Sequence, residues 1–134
     1  MRVHNPDSVV ATGGRYAHGI ETPLGGRILY VSGQVGITRD SYIPETIFHQ
    51  AEIIWNNIAE VLNSAKIKFD NIVKINTYVV TGHDALQAVE VQRRHLGIHA
   101  PAHTLVYVAG LIRPQFFLEV EVVAIAGSGE GAVS

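Results

Sequence analysis

The run Phe117-Leu118-Glu119-Val120-Glu121-Val122-Val123-Ala124-Ile125-Ala126 places two carboxylates among apolar, strand-forming residues. Ala100-Pro101-Ala102-His103-Thr104-Leu105-Val106-Tyr107-Val108 does the same with an imidazole and a hydroxyl. These are groups that hold water and exchange protons. Alternation at a period of two sends Glu119 and Glu121 to one face of their strand, and Leu118, Val120 and Val122 to the other. A face carrying two carboxylates in an otherwise apolar strand must be wet, paired or functional.

The rest of the pattern says what positions them. Tyr16 to Thr22 and Arg27 to Gln34 flank Pro23-Leu24-Gly25-Gly26, whose residues supply turn dihedrals, so a β-hairpin is expected, with Ser32-Gly33-Gln34 ending its second strand. From Ile43 to about Ala65, apolar residues at 47, 51, 54, 58, 61, 62 and 65 predict an amphipathic helix with Pro44 in its first turn. The β-branched run Ile72 to Val80 predicts a central strand. A second helix is expected from about His83 to Leu96, capped by Thr81 or Asp84 and stopped by Gly97 and Pro101. Trp55 and Tyr78 read as packing residues.

The expected order is thus β-β-α-β-α-β-β, an α+β mixed sheet with both helices on one face. The uncovered face carries Glu119 and Glu121, but its neighbouring strands are too apolar to meet bulk water over such an area. Burial against further copies of the same chain follows.

A chain of 134 residues, 47% apolar and 16% charged, suits one core, read as a single domain over 1–126 with a mobile Gly/Ser-rich tail over 127–134. Ten basic against twelve acidic residues, with no Lys/Arg cluster denser than Arg93-Arg94, lack the footprint of a nucleic-acid binder. Without cysteine there is no thiolate metal site, disulfide or Cys nucleophile. Neither a signal-peptide core nor an apolar run of the roughly 18 residues that span a bilayer is visible, so a cytoplasmic protein with no membrane partner is expected. His95, His99 and His103 recur every fourth residue, but Gly97 and Pro101 break the helix that would align them, so no metal is expected. Gly13-Gly14 and Gly25-Gly26 read as turns, not phosphate loops, and no cofactor is expected.

Five motifs occur in order along nearly the whole chain: Gly14-Arg15-Tyr16-Ala17-His18-Gly19, Val31-Ser32-Gly33-Gln34, Asp70-Asn71-Ile72-Val73-Lys74, Pro101-Ala102-His103-Thr104 and Glu119-Val120-Glu121. Together they resemble the YjgF/UK114 group, the Rid or enamine/imine deaminase family, formerly called endoribonuclease L-PSP. The resemblance implies a chorismate-mutase-like fold and a homotrimer with clefts between subunits. In active members it implies hydrolysis of small reactive enamines and imines to ketones and ammonia. It also implies a cleft lined by Tyr16 and Ser32 of one subunit, with His103, Thr104 and Glu119 of its neighbour. In that cleft Glu119 would orient and deprotonate water and His103 would exchange a proton at the imine nitrogen, while Tyr16, Ser32 and Thr104 bind the substrate.

One position departs from the family pattern, which has arginine where this chain has His103. Arginine holds a carboxylate through a planar, always charged fork, and histidine cannot copy that. The expected substrate is therefore a small imine or enamine other than a standard 2-imino acid. Arg15 and Arg113 are the residues from which a replacement cation could come. A non-catalytic trimer that binds a small metabolite in the same clefts is the alternative.

Overall fold

Two short strands, Arg2–His4 (β1) and Gly19–Glu21 (β2), pair antiparallel as a separate ribbon in the computed structural model, which describes residues 1–127. Beyond Gly127, the expected tail lies outside the described residues. The expected hairpin is not formed: β2 pairs with β1, and the Pro23–Gly26 turn passes the chain on to a different sheet. That sheet contains Arg27–Val35 (β3), Ile72–Val80 (β4), Ala102–Val108 (β5) and Leu118–Ala126 (β6), in the order β3-β6-β4-β5. β4 and β5 run parallel, and β6 is antiparallel to both of its neighbours. The last strand of the chain thus inserts between the two that precede and follow the first helix.

Ile47–Ser64 (α1) begins four residues later than the periodicity suggested, because Thr46 is the N-cap, its hydroxyl accepting from the His49 N–H at 3.1 Å. Pro44 lies before the cap, outside the helix. Ala85–Leu96 (α2) is capped by Asp84, whose carboxylate accepts from the Leu86 N–H at 2.9 Å, and ends at Gly97, which takes the left-handed φ of 61°. Both helices lie on one face of the sheet. There Ile54, Trp55, Ile58 and Leu62 of α1 and Val91 of α2 pack with Ile72, Ile75, Val79, Leu118, Val120 and Val122 of the strands.

On the opposite face the strands present Ile28 and Tyr30 of β3, 55% and 74% exposed, and Val106 of β5, 42% exposed. Lys74, Asn76 and Tyr78 of β4 and Glu119 and Glu121 of β6 lie between them. Tyr78 is therefore not a core packing residue: it sits on the open face with its hydroxyl bound to Glu121. The mix of apolar and polar groups is the one the alternation of β6 implied. Among the described residues no helix is long and apolar enough to cross a membrane.

A candidate active site divided between two faces of the sheet

Pairing across the open face lines up two polar rows. Glu121 lies opposite Asn76, which lies opposite Thr104; one step along, Glu119 lies opposite Tyr78, which lies opposite Val106. At the β3 end the ladder contains a bulge: three steps from Val31 to Gln34 match two from Val122 to Val120, so Ser32 and Gly33 together face Glu121. A cavity of about 300 Å³ opens there, lined by Tyr30, Ser32, Asn76, Glu121 and Val123.

The two carboxylates in this row are in different states. Glu121 is occupied, its Oε1 accepting from the Tyr78 hydroxyl at 2.6 Å and from Asn76 Nδ2 at 3.1 Å. The bond to Glu121, then partial burial, raises the Tyr78 phenol above its usual range, so it remains a neutral donor. Glu119 has no hydrogen-bond or ion-pair partner for its carboxylate among the described residues. Its side chain folds over the backbone of Gly33, where an added Cβ would stand 2.7 Å from Cδ. Only a glycine leaves room for a carboxylate at that bulge.

His103 does not share this face. It lies opposite Ile75, which points to the helix side, and its Nε2 shares a 2.9 Å hydrogen bond with the hydroxyl of the buried Thr77. Thr104, the next residue, necessarily points the other way and accepts from Lys74 Nζ at 2.7 Å. Within one protomer the sheet therefore separates His103 from Glu119 and Thr104, correcting the expectation that all three project together from one subunit. Burial, and secondarily the charge of Lys74, lowers the His103 pKa from 6.5 to about 4. The ring is neutral at pH 7.

This depression has a consequence for stability. Between pH 6.5 and 4 the unfolded chain takes up a proton at residue 103 that the folded chain refuses, so stability falls as pH falls through that window. Denaturant unfolding at pH 7 and at pH 4 is expected to show wild type losing about 2–3 kcal/mol more than His103→Gln, allowing for solvent reaching the ring edge. Equal losses in the two proteins would refute the burial of a neutral imidazole.

Tyr16 belongs with His103 rather than with Ser32. The Ala17 N–H donates to the Pro101 carbonyl at 3.2 Å and Ala17 bridges to Ala102 in parallel, so this segment runs along the outer edge of β5. Tyr16 lines a cavity of about 530 Å³ with Val3, Asn5, Ile20 and His99, apart from the one that Ser32 lines. The five expected site residues thus form two halves: Ser32, Thr104 and Glu119 on the open face, and Tyr16 and His103 around the start of β5. Of the two candidate cations, Arg113 lies over the Phe116 ring at 5.7 Å, and Arg15 lines a cleft beside α2. The remaining histidines of the four-residue series diverge: His95 stacks on Trp55, and His99 Nε2 donates to the Ile72 carbonyl at 2.8 Å.

Sequence reasoning missed Asn76 and Tyr78 as the partners of Glu121, Thr77 as the partner of His103, and Gly33 as the seat of the Glu119 side chain. Alternation along β4 puts Asn76 and Tyr78 on one face, but the register with β6 sets Asn76 opposite Glu121 and Tyr78 opposite Glu119, and the Tyr78 hydroxyl reaches diagonally to Glu121.

The chain is similar to protein MMF1, mitochondrial, of Saccharomyces cerevisiae, 33% identical over 98 residues that cover 72% of this chain and 67% of the relative. It is also similar to the 2-iminobutanoate/2-iminopropanoate deaminase of Mus musculus, 29% identical over 103 residues, 75% of this chain and 76% of that one. Among solved structures it resembles YyfB of Yersinia pestis, described as a Rid-family protein of unknown function. The TM-score is 0.82 at 26% identity, covering 93% of this chain and 98% of the other. The family model for endoribonuclease L-PSP matches residues 7–126. With the bulge at Ser32-Gly33, the split-strand sheet and nearly its whole length accounted for, the chain belongs to the endoribonuclease L-PSP family, the YjgF/UK114 or Rid group.

Proposed function

We propose that this protein hydrolyses a small enamine or imine to a carbonyl compound and ammonia, with Glu119 as the group that handles water. The observation that carries this reading is the contrast between neighbours on one strand: Glu121 is tied to Asn76 and Tyr78, while Glu119 has no protein partner and rests on Gly33. A carboxylate so placed accepts a hydrogen bond from a water molecule and takes its proton as the oxygen adds to the electrophilic carbon of the C=N bond. The same carboxylate returns that proton to the nitrogen. The resulting carbinolamine gives its hydroxyl proton to the carboxylate, which passes it to the amino nitrogen as the carbon–nitrogen bond breaks, leaving the carbonyl compound, its oxygen from water, and ammonia.

The two halves of the site face different ways in one protomer, so a complete cleft needs a second copy. In this reading the chain is a homotrimer: the Ser32–Gly33–Glu119 half of one protomer meets the Tyr16–His103 edge of the next, and Thr104 and Lys74 border the seam. The exposed Ile28, Tyr30 and Val106 support it, since apolar side chains on a polar-cored face favour burial against a like surface. His103, neutral and bonded to Thr77, acts as a positioning group beside Tyr16 rather than as a cationic carboxylate clamp. A substrate without a carboxylate at that end suits it.

The test is ammonia release from small imines generated in situ, with and without a carboxylate, at protein concentrations where the assembly state is measured in parallel. Turnover preferring the uncharged imine is the expected result. Ligand-dependent thermal stabilisation without any turnover would replace catalysis by metabolite binding in the same cleft. Gly33→Ala supplies a sharper check. The new methyl group displaces the Glu119 carboxylate, and kcat is expected to fall about 10²-fold, as for other misplacements of about 1 Å, with the melting temperature nearly unchanged.

A further inference from the structure

We infer that the cleft at the C-terminal end of α2 is a separate binding site for a small oxyanion, a phosphate or short carboxylate. This goes beyond the proposed hydrolysis and does not depend on it. The cleft encloses about 240 Å³ and is lined by Arg15, Gln92, Arg93, Leu96 and His99, with glycine and alanine backbone completing its wall. Among the described residues no carboxylate lines it.

Two arginines line it from different parts of the chain: Arg15 from the loop before β2, and Arg93 from the last turn of α2. Neither makes a hydrogen bond or ion pair among the described residues. Two other arginines are engaged. Arg94 pairs with Glu90 at 3.6 Å and covers Phe48, and Arg27 Nη1 donates to the Ala65 carbonyl at 2.7 Å. A basic last turn complements the helix dipole, which accounts for Arg93 but not for Arg15.

Gln92 is the second, independent observation. Its side chain is 95% buried, yet its amide has no hydrogen-bond partner among the described residues. Nor is that amide sealed off, since among the described residues no fully buried side-chain nitrogen or oxygen lacks a partner, and Gln92 is one of the residues lining the cleft. Gln50, equally buried on α1, makes three hydrogen bonds. A buried amide normally finds a partner, and here the partner must come from outside. An oxyanion fits: it accepts from Gln92 Nε2 and from two planar guanidinium forks, which suit carboxylate and phosphate oxygens alike. His99 is wall rather than donor, because its Nε2 already serves the Ile72 carbonyl. The cleft is smaller than the roughly 300–1,000 Å³ of most ligand pockets, which restricts the guest to a few heavy atoms.

Titration of the full chain with inorganic phosphate and, separately, with acetate, at constant ionic strength, decides the matter and identifies the preferred anion. Amide and side-chain NMR shifts report the site. One anion is expected to saturate with shifts at Arg15, Gln92 and Arg93. Arg15→Gln and Arg93→Gln are each expected to weaken it at least tenfold, while Arg94→Gln, which removes the same charge one residue away, leaves it unchanged. Gln92→Glu is expected to abolish binding. Should that variant not fold, the two arginine variants still decide. Shifts that never saturate, or an equal loss in Arg94→Gln, would show diffuse charge attraction and overturn the site.

Discussion

Glu119→Gln is expected to slow the proposed imine hydrolysis by about 10²–10⁴-fold, the range that a positioned general base contributes, while leaving the protein folded. The amide keeps the shape of the side chain over Gly33 but cannot take a proton from water. Binding should survive: an unreactive ketone product is expected to bind with little change, so the loss falls in kcat rather than in KM. The neighbouring substitution separates this claim from a merely structural one. Glu121→Gln keeps one oxygen that can accept from the Tyr78 hydroxyl and Asn76 Nδ2 but removes the charge that strengthens both bonds, so its main effect is on stability and on the shape of the open face. If Glu121→Gln stopped turnover while Glu119→Gln preserved it, the assignment would be reversed.

How far the sequence carried this site depends on which relations are local. Both helices, and strands β3, β4, β5 and β6, stand close to where period and punctuation placed them, because amphipathic spacing and caps act within a few residues. The β1–β2 ribbon was not legible. Three exposed residues at Arg2–His4 carry no hydrophobic alternation, and without them the Tyr16–Thr22 run had only β3 as an apparent partner. Alternation did put Glu119 and Glu121 on one face. It could not tell which is free, since Asn76 and Tyr78 lie 45 and 43 residues from Glu121 along the chain. His103 was misplaced for a plainer reason: adjacent residues of a strand cannot share a face, so His103 and Thr104 never belonged to one wall. Which of them faces Glu119 is set by the parallel register with β4, and β4 carries its own one-residue bulge between Ile72 and Lys74 that reverses any simple count.

Gln50→Leu is expected to destabilise the fold by about 2–4 kcal/mol, since it strands the backbone partners of one buried and two half-buried hydrogen bonds at roughly 1 kcal/mol each. Gln50 is fully buried in α1, yet it joins segments distant in sequence. Its Nε2 donates to the Pro44 carbonyl at 2.9 Å and to the Gln115 carbonyl at 2.7 Å, and its Oε1 accepts from the Phe117 N–H at 2.9 Å. The leucine side chain nearly matches in volume, so neither a large cavity nor overpacking enters the comparison. Relaxation is blocked on one side by Gly36, where even a Cβ would stand 2.7 Å from Gln50 Cγ, so water has little room to replace the amide. Gln50→Glu should be no better, because a carboxylate satisfies the Phe117 N–H but repels both carbonyls. The consequence reaches the site, for Phe117 leads directly into Leu118 and Glu119, and loosening its anchor frees the start of β6 at the position of the carboxylate proposed to handle water. Urea unfolding measures the first effect, and hydrogen exchange at the Phe117 amide measures the second. A stability loss below about 1 kcal/mol, the worth of a single ordinary hydrogen bond, would show that this three-way clamp does not hold the strand in place.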